Sequence, residues 1–211
     1  MDKKKAIDAI KKILEEGAGK KKFTQSAELM INTRSIDFSK SENRLNLDIA
    51  LPKGRGEKRQ KVAIIAEEAT TSEAKKHGID LVILPNEIQS YATPAKLKEL
   101  AKNYIILVQP NLMAQSAKSL GQYLGARGKI PRPIIGDLKE MIEKTRRSVR
   151  VVTKGKFLPV VQAFIGTEKM APEELFENFE SVYDVVKNKV NEGNIKSIYV
   201  KLSMGKPVKI Q

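Results

Sequence analysis

Three short apolar runs near the middle of the chain constrain its fold more than any other feature of the sequence. They occupy residues 61–66, 81–84 and 104–108. Continuous runs of this length are typical of strands that are buried on both faces of a parallel sheet. Segments with helical character follow these runs, at residues 70–77, 94–102, 114–123 and 137–144, and residues 148–152 predict a further strand. Strands and helices that alternate at this spacing predict βαβ units and an open parallel sheet.

The segments on either side of this region follow a different pattern, typical of an α+β domain. They are the predicted strands 28–33, 45–51, 159–166 and 197–203 and the predicted helices 3–16 and 172–187. The economical arrangement is a discontinuous α+β domain, residues 1–57 and 155–211, with an α/β domain inserted at residues 58–154. The crossings at residues 54–59 and 154–156 are rich in Gly, Lys and Arg. We therefore predict a hinge there.

The last predicted strand has one polar face that carries no carboxylate. That face comprises Ser197, Tyr199, Lys201 and Ser203. The apolar face comprises Ile198, Val200, Leu202 and Met204. Gly205 follows, where the backbone can approach a partner closely because no Cβ intervenes. The pattern has two interpretations, a rigid recognition edge for RNA or a half-buried strand that ends in a turn.

The charge of the chain indicates a polyanionic partner. Its 211 residues include 39 Lys and Arg against 25 Asp and Glu, a formal net charge of +14. Nucleic acid is the first candidate and an anionic membrane the second. No apolar run approaches the roughly 20 residues that a membrane-spanning helix needs. The first residues lack the apolar segment of a signal peptide, so we expect no membrane association.

The absence of cysteine and the presence of a single histidine, His77, narrow the possible chemistry. Disulfides, zinc fingers and thiol catalysis are excluded, and a cytoplasmic location is expected. Gly128 and Lys129 suggest a P-loop, but Ile130 replaces the required Ser or Thr. We find no pair of nucleophile and base and expect no metal and no cofactor. We therefore predict a protein that is not an enzyme. An α/β enzyme acting on nucleotides or nucleic acid is the alternative, and a general polyanion binder is a third hypothesis.

Two basic segments predict contacts with nucleic acid, and each also has a structural interpretation. Residues 20–28 run from three lysines into Phe23, which is typical of a surface for phosphates and bases. The alternative is a solvated turn whose Phe23 fills the core. Residues 125–133 form a basic loop, which predicts either a contact with RNA or transfer RNA, or a structural turn with solvated cations.

Several motifs, in order along essentially the whole chain, resemble those of the ribosomal protein L1 family in its archaeal form. They are Lys22 and Phe23 with Ser26 and Glu28, LPKG at 51–54, LGARGKIPRP at 124–133, SIYV at 197–200 and SMG at 203–205. The resemblance implies a two-domain fold, a split α+β domain with an inserted Rossmann-like domain that carries a parallel sheet. It also implies a structural constituent of the large ribosomal subunit at its mobile stalk.

The resemblance further implies several partners. Large-subunit ribosomal RNA is the first, bound near the exit site, where the protein would assist the release of deacylated transfer RNA. A similar site on the protein's own messenger RNA is the second, through which family members repress translation. The resemblance implies a cytoplasmic protein of the ribosome, and we expect it to be a monomer when free.

Family contacts with RNA carry over to positions that match the motifs. These are Lys22, Phe23, Ser26, Glu28, Ser197, Ser203, Met204 and Gly205. Gln162 is added because some bacterial members have histidine at that strand position. The sequence departs from many relatives in carrying Ser26 and Ser203 in place of threonine. Short hydroxyl side chains suit RNA, whose phosphates and 2′-hydroxyls are its readable surface.

Overall fold

The structure is a computed structural model that describes residues 2–153 and 158–211. Its strands are β1 (Ser26–Thr33), β2 (Asn46–Ala50), β3 (Lys61–Ile65), β4 (Leu81–Ile83), β5 (Tyr104–Val108), β6 (Arg132–Pro133), β7 (Ser148–Val152), β8 (Val160–Thr167), β9 (Ile195–Leu202) and β10 (Val208–Lys209). Its α-helices are α1 (Lys3–Gly17), α2 (Glu68–Lys76), α3 (Ile88–Tyr91), α4 (Pro94–Asn103), α5 (Met113–Ala126), α6 (Leu138–Arg147) and α7 (Pro172–Val190).

The chain divides into two compact units. Unit 1 comprises Met1–Arg59 and Arg147–Gln211, and unit 2 comprises Gln60–Arg146. Unit 1 holds antiparallel sheets and unit 2 a parallel sheet. The predicted fold class, α+β together with α/β, is therefore confirmed.

The position of the second crossing differs from the prediction. The sequence places it between residues 154 and 155, which lie outside the described residues. The strand β7, predicted to belong to the inserted domain, instead pairs antiparallel with β2. Its Val149 and Val151 are buried in the same core as Ile49 of β2. Pairing with β2 satisfies the backbone of β7 and buries its apolar face within unit 1.

The main sheet of unit 1 has the strand order β10-β9-β1-β8, with all neighbours antiparallel. Burial alternates along β1, so Leu29 and Ile31 face the core and the residues between them do not. Val200 and Leu202 of β9 join the same core. One face of this sheet is therefore packed, and the other, which we call the outer face, is not.

The helices α1 and α7 cover the packed face. The side chain of Asp2 caps α1 by accepting a hydrogen bond from the backbone N–H of Lys4. Pro172 lies in the first turn of α7, where its missing N–H costs no hydrogen bond. Ile10 of α1 and Phe179 of α7 are fully buried in the core that includes Leu29. The acidic residues of α7, such as Glu177 and Glu180, are exposed on the helix surface that faces away from this core.

Unit 2 is built on a parallel sheet with the strand order β4-β3-β5-β6. Alternate residues of β3 enter different cores. Ala63 and Ile65 pack with residues of α4 and α5, whereas Val62 and Ile64 pack with residues of α2 and α6. The sheet is therefore buried on both faces, as the continuous apolar runs predicted.

The segment at residues 53–57 is fixed within unit 1. Asn178, fully buried in α7, accepts a hydrogen bond from the backbone N–H of Lys53 and donates one to the carbonyl of Gly54. Arg55 stacks on the ring of Phe164 at 4.5 Å. Gly56 has a φ of +60°, and a Cβ there would lie 2.5 Å from the hydroxyl of Thr167. These contacts tie most of the predicted hinge at residues 54–59 to the body of unit 1.

Candidate nucleic-acid interface

The outer face of the unit 1 sheet brings several predicted site residues together. Across the strands, Met30 of β1 lies opposite Tyr199 of β9 and Gln162 of β8, and Glu28 lies opposite Lys201 and Phe164. Gln162 is exposed and the other five side chains are half-buried. Because α1 and α7 pack on the opposite face, this surface is open to a partner.

A hydrogen-bonded group of three predicted residues lies at one end of the outer face. We call Ser26, Glu28 and Ser203 the serine–carboxylate cluster. The Ser203 hydroxyl donates to the Glu28 carboxylate at 3.1 Å and accepts from the backbone N–H of Ser26 at 3.2 Å. The backbone N–H of Ser203 donates to the carbonyl of Ser26 at 3.0 Å. The short polar side chains are thus oriented before any partner binds.

Sequence reasoning did not identify Lys58 as part of this surface. Its ammonium group donates a hydrogen bond of 2.6 Å to the hydroxyl of Ser26. Arg55 is a second cation that the sequence did not identify as part of this surface. Its guanidinium lies over Phe164 on the outer face. Burial lowers the pKa of Arg55 from its ordinary value, yet a guanidinium keeps its proton in proteins. The signal in the sequence was the charged segment at residues 54–59, to which we assigned a hinge.

The turn after β9 presents Met204 to solvent. The sequence placed Met204 on the apolar face of the strand, and this is wrong because β9 ends at Leu202 and Met204 is 64% exposed. The backbone N–H of Met204 donates to the side-chain carbonyl of Gln25, and that of Gly205 donates to the carbonyl of Leu202. A Cβ at Gly205 would lie 3.3 Å from the Cβ of Leu202, so this turn is tight.

Phe23 does not fill the core, so the structural alternative for this residue is wrong. Its ring is 52% exposed, and the neighbouring Lys22 is exposed as well. Ala27 pairs with Leu202, so the segment before β1 and the turn after β9 lie at the same end of the sheet. This end carries two exposed apolar side chains, Phe23 and Met204, near the serine–carboxylate cluster.

Two predictions about β9 and Ser197 are wrong. The strand is not a sheet edge, since β10 pairs with it on one side and β1 on the other. Ser197 is not an open hydroxyl, because it is 7% exposed and accepts a hydrogen bond of 2.9 Å from the side-chain amide of Asn32. Period-two alternation identifies the face of a residue but not the long neighbours that cover it. Ser197 is therefore placed to orient Asn32.

A shallow cleft of about 330 Å³ adjoins the other end of the outer face. Its lining includes Gln162, Arg150 and Leu158, and Leu158 is 61% exposed. The guanidinium of Arg150 donates to the side-chain carbonyl of Asn46 at 2.9 Å. Gln162 therefore lies between this cleft and Met30, one step along the outer face from the pair of Glu28 and Phe164.

In unit 2, the basic loop is tied to its own unit. Residues 125–128 close the end of α5, where Gly128 has a φ of +66° and donates to the carbonyl of Gly125. Arg127 stacks on Tyr123 at 4.2 Å, and Lys129 donates to the carbonyl of Tyr104 at 3.4 Å. The structural interpretation of this first half of the loop is favoured by these contacts.

The carboxyl edge of the unit 2 sheet is the place where an open parallel sheet would bind a nucleotide. That edge carries Glu67 and Glu68 directly after β3, and the Glu67 carboxylate accepts from Asn111 at 2.8 Å. Carboxylates at this position repel phosphate groups. Within residues 2–153 and 158–211, no group of three or more His, Cys, Asp or Glu is arranged to hold a metal ion. No helix in the same ranges has the length and apolar character of a membrane span.

Comparisons with known proteins agree with the motifs in the sequence. The model of the Ribosomal protein L1p/L10e family matches residues 10–206. The large ribosomal subunit protein uL1 of Pyrococcus abyssi is 39% identical over 217 aligned positions, which cover 100% of this chain and 97% of that protein. The uL1 protein of Thermofilum pendens is 42% identical over 207 positions, covering 96% and 91%. That of Methanothermococcus thermolithotrophicus is 35% identical over 217 positions, covering 100% of both.

Proposed function

The chain belongs to the ribosomal protein L1p/L10e family, and from this we propose that the outer face of unit 1 binds a structured site in large-subunit ribosomal RNA. The relatives that the chain matches are large ribosomal subunit proteins, so we place the chain in that subunit, in a role that is structural and not enzymatic. The observation that carries the proposal is the oriented serine–carboxylate cluster beside the exposed Phe23 and Met204.

The serine–carboxylate cluster suits the sugar edge of an RNA helix. A 2′-hydroxyl can donate to the Glu28 carboxylate, which has acceptor sites beyond the one that takes the Ser203 hydrogen bond. Glu28 would be repelled by a phosphate and therefore selects for a sugar or base donor at that point. The Ser203–Glu28 bond exists in the free protein, so little side-chain entropy is lost on binding.

Cations around the cluster would contact the phosphates on either side. Lys22 is exposed and Lys58 reaches the hydroxyl of Ser26. The acidic side chains of α7 lie on the far side of the sheet and do not oppose the RNA. Phe23 and Met204 would cover ribose or base surface, since each exposes more than half of its area. Gln162 and the Asn32–Ser197 pair would extend the contact along the outer face.

The cluster can be tested by a matched pair of substitutions. Ser203→Val removes the hydroxyl. Ser203→Thr keeps the hydroxyl in a side chain of nearly the same volume as valine. We expect Ser203→Val to weaken binding to a ribosomal RNA fragment by about 1–3 kcal/mol, because Glu28 loses the hydrogen bond that orients its carboxylate toward the RNA. Ser203→Thr should bind within about twofold of the parent chain. Equal affinities for both variants in isothermal titration calorimetry would exclude the cluster from the site.

We infer that the same surface binds a similar element in the protein's own messenger RNA and thereby represses its translation. The support is the family membership and the presence of one oriented cluster that two RNAs of similar shape would share. In a cell-free translation assay of that message, added protein should reduce synthesis and the ribosomal fragment should restore it. Ser203→Val should lose repression in proportion to its loss of fragment affinity.

Assistance in releasing deacylated transfer RNA is the third role we propose, and we assign it to unit 2. The support is the loop near β6, where Ile130 and Ile135 are 63% and 75% exposed beside the basic residue Arg132. Ribosomes reconstituted with Ile130→Asp should release deacylated transfer RNA more slowly, while fragment binding by the free protein stays unchanged. Unaltered release kinetics would contradict this assignment.

A further inference from the structure

A cleft of about 420 Å³ lies in unit 1 between the end of α1 and the turn after β9. Its lining includes Met204, which is 64% exposed, together with Gly17 and the buried Ile13, which is only 3% exposed. Its remaining lining includes three exposed lysines, Lys20, Lys21 and Lys206, against one carboxylate, Glu16. The cleft therefore combines an apolar interior with a net positive rim, and its volume is that of a small-ligand site.

The two walls of the cleft are held together by a buried side chain. Gln25 is 1% exposed, and its amide nitrogen donates to the carbonyl of Gly17 at 2.8 Å. Its side-chain carbonyl accepts from the backbone N–H of Met204 at 3.1 Å. Gln25 thus links the end of α1 directly to the turn after β9.

The carboxylate of Glu168 completes this frame. It accepts from the backbone N–H of Gln25 at 3.0 Å, from the Gln25 side chain at 2.9 Å and from the backbone N–H of Gly19 at 3.3 Å. The buried Gln25 side chain, bonded through both its amide nitrogen and its carbonyl, therefore holds a single geometry. The cleft is therefore formed without a ligand, which lowers the entropic cost of binding one.

We propose that this cleft binds one unpaired nucleotide of the RNA that the outer face recognises. Its base would lie on Met204, at the end of the cleft nearest Ile13, and its phosphate would be bound by Lys20, Lys21 and Lys206. The apolar part of the cleft suits the face of a base. Inorganic phosphate as the only ligand would leave that apolar surface exposed to water. The inference rests on the proposed function, because Met204 belongs to both surfaces.

Glu16 gives the site a preference among bases. Its carboxylate accepts hydrogen bonds only, so it suits a base with an exocyclic amino group, as in adenine, guanine or cytosine. Uracil offers no such group and brings two carbonyl oxygens. We therefore expect an amino-bearing base in the cleft.

The first test uses the full chain and free mononucleotides, monitored by the backbone amide resonances. AMP should shift the amides of Gly17, Gln25 and Met204 with saturation, and UMP should bind at least about threefold more weakly. The double variant Lys20→Gln/Lys21→Gln should weaken the binding of AMP about fivefold or more. The control Lys11→Gln/Lys12→Gln makes the same charge change on the exposed side of α1 and should leave the affinity for AMP unchanged. Inorganic phosphate binding as tightly as AMP, or shifts confined to other residues, would overturn the inference.

The second test places the cleft on the RNA. A photo-crosslinking side chain at Lys20 should attach to one unpaired nucleotide of the ribosomal fragment, and the same group at Lys12 should not. Replacing that nucleotide by an abasic residue should lower affinity about tenfold for the parent chain and much less for the Lys20→Gln/Lys21→Gln variant. Crosslinks only to paired nucleotides, or an unchanged affinity for the abasic fragment, would contradict the proposal that the cleft binds an unpaired nucleotide.

The two proposals fail in different ways. If Ser203→Val weakens binding to the fragment but neither the Lys20→Gln/Lys21→Gln variant nor the abasic replacement does, the proposed nucleotide site in the cleft is wrong. The proposal that the outer face binds RNA is then unaffected. If Ser203→Val also leaves affinity unchanged, the proposed function fails with it.

Discussion

At the scale of single residues, burial separates side chains that can meet RNA from those that hold them in place. Ser197 and Ser203 fall on the same face of the strand predicted at residues 197–203 and look equivalent in the sequence, although β9 itself ends at Leu202. Ser203 bonds to Glu28 at the open end of the sheet, whereas Ser197 is buried against Asn32. The two hydroxyls therefore have different roles.

We predict that Ser197→Ala lowers the free energy of unfolding by about 1 kcal/mol, because the amide of Asn32 loses its acceptor. Its affinity for the ribosomal fragment should fall less than that of Ser203→Ala. Urea unfolding and titration calorimetry on both variants check the prediction. A larger loss of RNA affinity in Ser197→Ala would restore Ser197 as a direct contact.

Gln25 is the residue whose loss should affect both stability and binding. Gln25→Leu places an apolar side chain at a position that is 1% exposed and removes the side-chain hydrogen bonds to Gly17, Met204 and Glu168, so we expect a loss of about 2–4 kcal/mol in the free energy of unfolding. Gln115→Leu, an exposed position on α5 in unit 2, is the control and should change stability by less than about 0.5 kcal/mol. Equal melting temperatures for the two variants would contradict the frame we assign to Gln25.

At the scale of elements, the segment between β2 and β3 shows how packing decides the cost of a glycine substitution. Gly54 and Gly56 both have positive φ, +68° and +60°. A Cβ at Gly54 would come no closer than 3.8 Å to Arg147, whereas one at Gly56 would lie 2.5 Å from Thr167 and 3.1 Å from Met170.

We predict that Gly54→Ala costs about 1 kcal/mol of stability, from the backbone alone. Gly56→Ala should cost about 2–4 kcal/mol, because the added methyl group must also displace Thr167 or Met170. Thermal unfolding of the two variants under the same conditions measures the difference. Indistinguishable values would mean that the contacts around Gly56 relax freely.

Most elements could be predicted from the sequence because their patterns are local. Continuous runs identified β3, β4 and β5, and helical periodicity identified α1 and α7. The strand β10 has only two residues, Val208 and Lys209, too few for a pattern, so β9 was mistaken for an edge. The partner of β7 was also missed, since pairing between β2 and β7 spans about a hundred positions and leaves no local signal.

The sequence motifs indicated residues that the structure places near one another, but not the contacts that depend on tertiary packing. Lys22, Phe23, Ser26, Glu28 and Ser203 lie at one end of the outer face, as a common site requires. Lys58 and Gln25 were missed because their importance comes from hydrogen bonds across the fold.

At the scale of the whole molecule, net charge and specific recognition make separate contributions. With a formal net charge of +14, binding to any duplex should weaken steeply as salt rises, because each bound phosphate releases counterions. We predict that the preference for the ribosomal fragment over a random duplex changes much less with salt than either affinity does. Fluorescence anisotropy at several salt concentrations checks this, and a preference that vanishes with salt would favour a general polyanion binder.

Unit 1 should bind RNA without unit 2. Arg55 donates to the carbonyl of Ser148 at 2.8 Å, so the two chain segments of unit 1 meet near the crossings and a short Gly/Ser linker can replace residues 60–146. We predict that this shortened chain folds and binds the fragment within about fivefold of the parent. If circular dichroism shows that the shortened chain is folded but it does not bind the fragment, the binding site lies elsewhere.

The central strand β1 has both of its neighbours, β8 and β9, from the far end of the polypeptide. During synthesis, therefore, residues 26–33 leave the ribosome long before anything exists to pair with them. Unit 2, whose strands are contiguous in sequence, can fold first. A nascent chain stopped short of β9 would carry a finished insert and an incomplete outer face, so under the proposed function we expect truncated products not to compete with the complete protein for RNA.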